Sequence, residues 1–297
     1  MDIKQLRLLC ALGDTGHFKK AADACFISQP ALSMRLKALE AELGVPLVVR
    51  KQRFEGFTPE GEHLLQYARN VVAGCDAIKS EARALQGQIV GTVRLGMVPL
   101  SDFNLAEKLG TLLQRHGQLR FELHSLSNET ILEQLSHNKL DVGIVYAQAV
   151  NTQHFQLNPL GERICHLLYH PGQFQHTALL AEHATLSWQQ VAELPLSLLT
   201  GNNYFRQFLD KELLTEGLSL KPVVETDSVH QLLQLVDAGI SATIIPGDQL
   251  AGMNHSQLRA VPITPQCRAP GLAVVMKRSE PAPVVPRVVY EALSTDL

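Results

Sequence analysis

The sequence predicts an α/β fold made of an N-terminal winged helix-turn-helix, a long linker helix and two doubly wound α/β subdomains. Three observations predict it. Short helical periodicities fill the first sixty residues, an unbroken heptad pattern follows them, and strand and helix patterns then alternate to the end of the chain. The expected divisions are 1-58 for the winged helix-turn-helix, 59-88 for the linker helix and 89-297 for a C-terminal domain. Within the last, subdomain I takes about 89-160 and 267-297 and subdomain II about 161-266. A length of 297 residues suits this partition better than one small module.

Ile3, Leu6, Leu9, Cys10 and Leu12 recur at helical spacing until Gly13 and Gly16 interrupt them. A second helix runs from Phe18 to Cys25, with Phe18, Ala21, Ala22 and Cys25 on one face. Ser28-Gln29-Pro30 opens a third helix, because a serine oxygen can accept from an early backbone N–H and proline has no donor to lose in the first turn. That helix runs to Gly44 with Leu32, Leu36, Leu39 and Leu43 on its buried side. Pro30, Ser33, Met34 and Lys37 lie opposite, and Gln29 is near the tip.

Two helices joined by a tight turn, the second with short polar groups near its start, form the arrangement that enters a DNA major groove. Gln29 suits a base edge, and Ser33 and Lys37 suit bases or phosphates. A plain three-helix bundle with the same residues on its solvated face is the competing reading at this point. The stretch from Leu47 through Arg53 to Thr58 then reads as two short strands around a basic turn, a wing able to lie along phosphates. Thr58-Pro59 opens the next helix in the manner of Ser28 to Pro30.

The set Phe18-x-x-Ala21-Ala22, Ser28-Gln29-Pro30-Ala31-Leu32-Ser33, Leu39-Glu40-x-x-Leu43-Gly44-x-x-Leu47, Arg50 and Thr58-x-x-Gly61 resembles the N-terminal domain of LysR-type transcriptional regulators. Carried over position by position, the resemblance implies that Gln29, Pro30, Ser33 and Met34 face the major groove and that Arg50, Lys51 and Arg53 serve the wing. Three positions depart from the family pattern. His17 stands where a serine is usual, which should weaken a helix cap, while Cys25 and Val48 replace a leucine and a phenylalanine and keep apolar character.

From Pro59 to about Gln86 no proline intervenes, and Leu64, Ala68, Val71, Cys75, Ile78, Ala82 and Leu85 step by four and three. One apolar seam of this length calls for a partner helix, and the resemblance implies a homodimer through it and a tetramer beyond. Packing against its own domains is the alternative.

Beyond Gly87 the expected elements are strands at Thr92–Met97, Arg120–Ser125, Asp141–Tyr146, Ile164–Tyr169, Leu196–Leu199, Pro222–Glu225, Ala242–Ile245 and Gly271–Met276. Helices are expected at Asn104–His116, Glu129–Asn138, Trp188–Ala192, Tyr204–Glu216, Val229–Ala238 and near Arg287–Leu293. The layout resembles the inducer-binding region of the same family, itself similar to type 2 periplasmic binding proteins. Ligands of such sheets sit at the carboxyl ends of strands, where helix N-termini offer free N–H groups. Ser101, Asn128, Thr200, Asn202 and Ser228 are therefore the candidate effector-binding residues of a cleft suited to an anionic or zwitterionic small molecule, with plain helix capping as the competing role for each. Arg94 and Arg206 are candidate counter-charges, and Asp102 and Asp227 qualify the preference for an anion.

Several function classes are excluded. Nucleophile-elbow, Walker, dinucleotide-binding and zincin motifs are missing, the twelve histidines are scattered and read by default as surface or core residues, and no catalytic residue, metal site or cofactor is expected. The five cysteines lack any C-x-x-C and read as reduced. A start without signal-peptide character and the lack of a long apolar run imply a cytoplasmic protein without a membrane partner. The net charge of −3 at first argues against nucleic acid, yet it averages +2 over the first sixty residues, zero over 61–88 and −5 beyond. The expectation is a non-enzymatic regulator that binds double-stranded DNA, a small-molecule effector and further copies of itself, with RNA polymerase as another candidate partner. The runner-up is a solute-binding or sensor protein with no direct role at DNA.

Overall fold

The computed structural model describes residues 1–50, 54–100, 103–176, 184–247 and 257–295. Within them the chain divides into two compact units, one built on Met1–Val90 and one on Gly91–Leu135 with Leu140–Leu297.

The first unit contains α1 (Ile3–Thr15), α2 (Phe18–Ala24), α3 (Gln29–Leu43), β1 (Val48–Arg50), β2 (Phe54–Phe57) and α4 (Pro59–Ala84). Local chemistry sets the helix ends. Asp2 and Gln5 form a reciprocal capping box on α1, and Gly16 ends that helix at a φ of 60°, a left-handed value that favours glycine. Ser28 and Thr58 cap α3 and α4 through Ala31 N and Gly61 N. His17 caps α2, its Nδ1 accepting from Lys19 N at 3.1 Å. That corrects the expectation of a weakened cap, since an imidazole nitrogen serves where serine is usual. Leu9, Leu12, Ala21, Leu32, Leu36 and Leu39 form a sealed core, whereas Leu43, expected on the buried side, is 37% exposed beside the helix-ending Gly44.

The second unit holds two sheets. The first has the order β4 (Leu119–Ser125), β3 (Gly91–Met97), β5 (Val142–Tyr146), β14 (Leu272–Lys277), β6 (Phe155–Pro159). Here β3 is parallel to β4 and β5, while β14 is antiparallel to β5 and β6. Its helices are α5 (Leu105–Arg115), α6 (Asn128–Ser136) and the C-terminal α10 (Val284–Ser294).

The second sheet runs β11 (Thr243–Pro246), β7 (Arg163–Tyr169), β12 (Arg259–Thr264), β8 (Leu186–Ser187), with β13 (Arg268–Ala269) also on β7. Both β11 and β12 pair antiparallel to β7, so the sheet is mixed. A parallel pair, β9 (Ser197–Leu199) and β10 (Val224–Thr226), joins its edge by a bridge from Leu196 to Ala242. Around it lie α7 (Trp188–Ala192), α8 (Tyr204–Thr215) and α9 (Val229–Asp237). One apolar cluster runs through both halves, from Val98 and Ile131 to Leu232 and Val275.

Candidate DNA-reading surface and effector cleft

The N-terminal surface is organised by α3. Its Leu32, Leu36 and Leu39 are fully buried, which turns Gln29, Pro30, Met34 and Lys37 outward and leaves Ser33 half-buried. One face of the first turns of α3, from Gln29 to Lys37, thus stands clear of the core. Glu40 near the other end accepts from Leu47 N at 2.9 Å and Val48 N at 3.2 Å, fastening the base of the wing to the same helix. Phe54 of β2 packs edge-on against Phe18 of α2 and against Phe57. The wing and the helix pair are thereby held as one body. Arg50 ends β1, whereas Lys51 and Arg53 lie outside the described residues. Phe26, which the sequence reading did not single out, stands 95% exposed in the turn between α2 and α3 at a φ of 55°. Only the positive φ, invisible in the sequence, turns this aromatic away from the core.

The linker helix divides its apolar residues between two faces. Ala68 joins the N-terminal core and Leu64, Leu65 and Val72 pack against it. Arg69, 8% exposed, pairs with Asp14, and Arg7 of α1 pairs with Asp76. Val71, Ile78 and Leu85 instead remain 48, 70 and 83% exposed. The single predicted seam is thus split, because α1 occupies one side of the first half of the helix.

In the second unit the strand ends gather the polar groups. Asn128 begins α6 and is 1% exposed; its Oδ1 accepts from Tyr146 N at 2.8 Å. Its Nδ2 is buried with no hydrogen-bond partner among the described residues. Thr200 Oγ1 donates to Asn202 Oδ1 at 2.7 Å, and Thr200 N reaches the carbonyl of Thr226 at 3.1 Å. Ser228 caps α9 through Gln231 N, the plain capping role weighed for it. Ser101 lies outside the described residues, as does Asp102.

Two further polar residues escape the sequence reading. Asn203 caps α8 through Phe205 N and Arg206 N. Thr226, 8% exposed, bonds Gln231 Oε1 at 2.9 Å and accepts from Ser228 N. Asn203 stands one position after Asn202 and Thr226 two before Ser228, and the strand end that sets such a shift is a property of the sheet. Tyr146 of subdomain I and Tyr204 of subdomain II stack with ring centroids 4.9 Å apart and planes at 21°. Asn128 is tied to the Tyr146 backbone by its hydrogen bond, and Asn203, the cap of α8, directly precedes Tyr204 in the chain.

The candidate counter-charges are committed elsewhere. Arg94 makes a two-pronged pair with Asp141, at 3.0 and 2.7 Å. Arg206 is held by Asp210, Glu225 and the carbonyl of Leu199, and these carboxylates raise its pKa against the opposing effect of burial. The expectation that either arginine answers an anion in the cleft is corrected by these pairs, which fix strand and helix ends instead. Cys165 of β7 and Cys267, just before β13, are both buried, and their mutual hydrogen bond together with burial pushes the Cys165 thiol up. The described residues contain no group of three or more His, Cys, Asp or Glu placed to hold a metal. No helix among them is long and apolar enough to cross a membrane.

Comparison with known proteins decides the family. Residues 3–62 match the bacterial regulatory helix-turn-helix protein, lysR family, and residues 86–296 match the LysR substrate binding domain. The chain belongs to the LysR family of transcriptional regulators. It is 29% identical over 280 residues to a hydrogen peroxide-inducible genes activator of Haemophilus influenzae, covering 91% of this chain and 87% of that protein. It is 28% identical to the DNA-binding transcriptional dual regulator OxyR of Escherichia coli, over 83% of this chain and 79% of that one. Among solved structures, a full-length OxyR variant from Pseudomonas aeruginosa superposes with a TM-score of 0.76 at 21% identity, covering 99% of this chain and 98% of that one. Full-length CbnR complexed with its target DNA gives a TM-score of 0.66 at 18% identity, covering 99% of both chains. These two show that the LysR-type fold extends over the full length of this regulator.

Proposed function

We propose that this LysR-type regulator reads its operator with the first turns of α3, grips flanking phosphates with the wing, and is controlled by a small molecule bound between its C-terminal subdomains. The observation that carries the DNA-reading half is the exposure of Gln29, Pro30, Met34 and Lys37 over a sealed leucine face. A glutamine so placed can pair two-pronged with an adenine edge, whereas lysines and arginines of the wing contribute sequence-independent affinity. CbnR, a structural neighbour, is seen on its target DNA, which supports the same use of the matching domain here.

Two copies joined through the open face of α4 raise the affinity of a reading domain that carries only +2. Ligand control follows if the effector prefers one arrangement of the two subdomains, which then changes how dimers pair and where the reading heads fall. The cleft residues in this reading are Asn128, Thr200, Asn202 and Ser228, with Asn203 and Thr226 added.

Neither cysteine of the C-terminal domain, Cys165 or Cys267, suits the peroxide response carried in the relatives' names, since both are buried. No cysteine lies between Cys165 and Cys267 in the sequence. Cys165 itself is fully buried with its thiol pushed toward the protonated form, so it lacks the exposed thiolate that a peroxide attacks.

Competition gel shifts test the reading head. Gln29→Ala is expected to reduce the preference for operator over random DNA by about tenfold, in line with the loss of one two-pronged base contact. Lys51→Ala or Arg53→Ala is expected to weaken binding to all sequences and lower the salt slope by about one. Full specificity retained in Gln29→Ala would overturn the assignment of α3.

A further inference from the structure

We propose that the Tyr204 ring is a built-in occupant of the effector cleft, and that the effector displacing it is a flat conjugated molecule bearing a hydrogen-bond acceptor. The proposal rests on the effector reading of the cleft and adds the chemistry of its ligand.

Tyr146 ends β5 in subdomain I and is only 1% exposed. The face of its ring is covered from the opposite subdomain by Tyr204, the first residue of α8, at the 4.9 Å and 21° already given. A stacked aromatic pair prefers a flat partner, and it gains an interaction beyond area burial that a puckered aliphatic ring does not reproduce. Beside the stack, Asn128 holds Tyr146 N through Oδ1 and leaves a buried Nδ2 donor unmet among the described residues. Natural interiors rarely leave such a donor unmet, and a ligand acceptor satisfies it. Glu129, the next residue of α6, lies close enough to the Tyr204 phenol to push its pKa up, a smaller effect than burial.

The site around Tyr146 therefore has two properties: a flat apolar face and a buried donor. Tyr204 satisfies the first, yet it leaves Asn128 Nδ2 open. A ring with an acceptor satisfies more of the site than the tyrosine does. Because Tyr204 follows directly on Asn203, the cap of α8, moving the ring out moves the first turn of α8 and links occupancy to the arrangement of the subdomains. An occupied cleft also lowers apparent affinity by the fraction of molecules in which the ring is away.

The test uses the full-length protein and two acids with the same substituents, 4-hydroxybenzoate and trans-4-hydroxycyclohexanecarboxylate, measured by titration calorimetry. The flat acid is expected to bind at least tenfold tighter than the saturated one. Tyr204→Ala is expected to tighten it at least fivefold further, and Tyr204→Phe to stay within twofold of the parent. In the ligand-free protein, Tyr204→Ala is expected to speed amide exchange in segments 127–131 and 145–147, and Tyr204→Phe is not. Equal affinities for the two acids, or binding of neither, overturn the ligand class. Unchanged exchange and unchanged affinity in Tyr204→Ala overturn the built-in occupant. The effector reading is judged separately, by whether any small molecule moves the promoter footprint through Thr226 and Ser228.

Discussion

Gly61 shows how one residue holds the reading head together. A Cβ there would stand 1.9 Å from the carbonyl oxygen of Leu47, a backbone atom that cannot swing aside. Thr58 beside it accepts from Gly61 N at 2.9 Å and donates to Pro46 O at 2.6 Å, so the first turn of α4 is pressed against the approach to β1. Gly61→Ala is expected to destabilise the N-terminal unit by about 1–3 kcal/mol, the usual cost of overpacking, visible as a lower urea midpoint. Cys10 is a second case. Burial, opposed by the nearby Arg69, raises its pKa from 9.0 to about 11. The folded state therefore favours the neutral thiol, and the associated stability is whole below pH 9 and lost as pH rises through 11. Urea unfolding at pH 8 and pH 11 is expected to show that loss in the parent and a smaller one in Cys10→Ala. The sequence identifies Cys10 as apolar; only the packed neighbourhood supplies the shift.

At the scale of an element, α4 carries two functions on one rod. Its regular apolar steps were legible because heptad spacing survives in any linear reading. Which steps face inward was not, since it depends on α1 covering Ala68 while Val71, Ile78 and Leu85 stay open. Ile78→Glu places a charge on the open face without touching the core. It is expected to shift the protein from dimer to monomer in sedimentation at micromolar concentration while leaving the helix content of the folded chain, read by circular dichroism, as in the parent, as for other exposed substitutions. The strands tell a similar story. β5 was legible as an unbroken apolar run, whereas β12 carries Pro262 inside it and β6 ends in Asn158 and Pro159. Proline argues against a strand in isolation, and here antiparallel pairing with β7 and β14 holds both segments in place.

Across the whole molecule, the proposed function makes affinity for DNA a property of the oligomer. With +2 on the first sixty residues and −5 on the C-terminal region, one chain offers few phosphate contacts and its own acidic half adds repulsion at long range. Ile78→Glu is therefore expected to lower operator affinity by tenfold or more with no residue of the reading surface altered, because the second half-site is no longer reached through effective concentration. An operator carrying a single half-site is expected to show little difference between Ile78→Glu and the parent in the same gel shift.

The sequence alone determined the family, the order of parts and the face of α3 that points outward, since capping residues, leucine spacing and heptads are local and repeat along the chain. It also placed Asn128 and the Thr200 and Ser228 runs at strand ends. The tertiary structure decided what those groups meet: Arg94 and Arg206 turn out to be spent on Asp141, Asp210 and Glu225, and Tyr146 and Tyr204, far apart in the chain, turn out to share a stack beside an unmet amide. Contacts of this kind depend on how two sheets bring distant strand ends together, and no local pattern of residues encodes that distance.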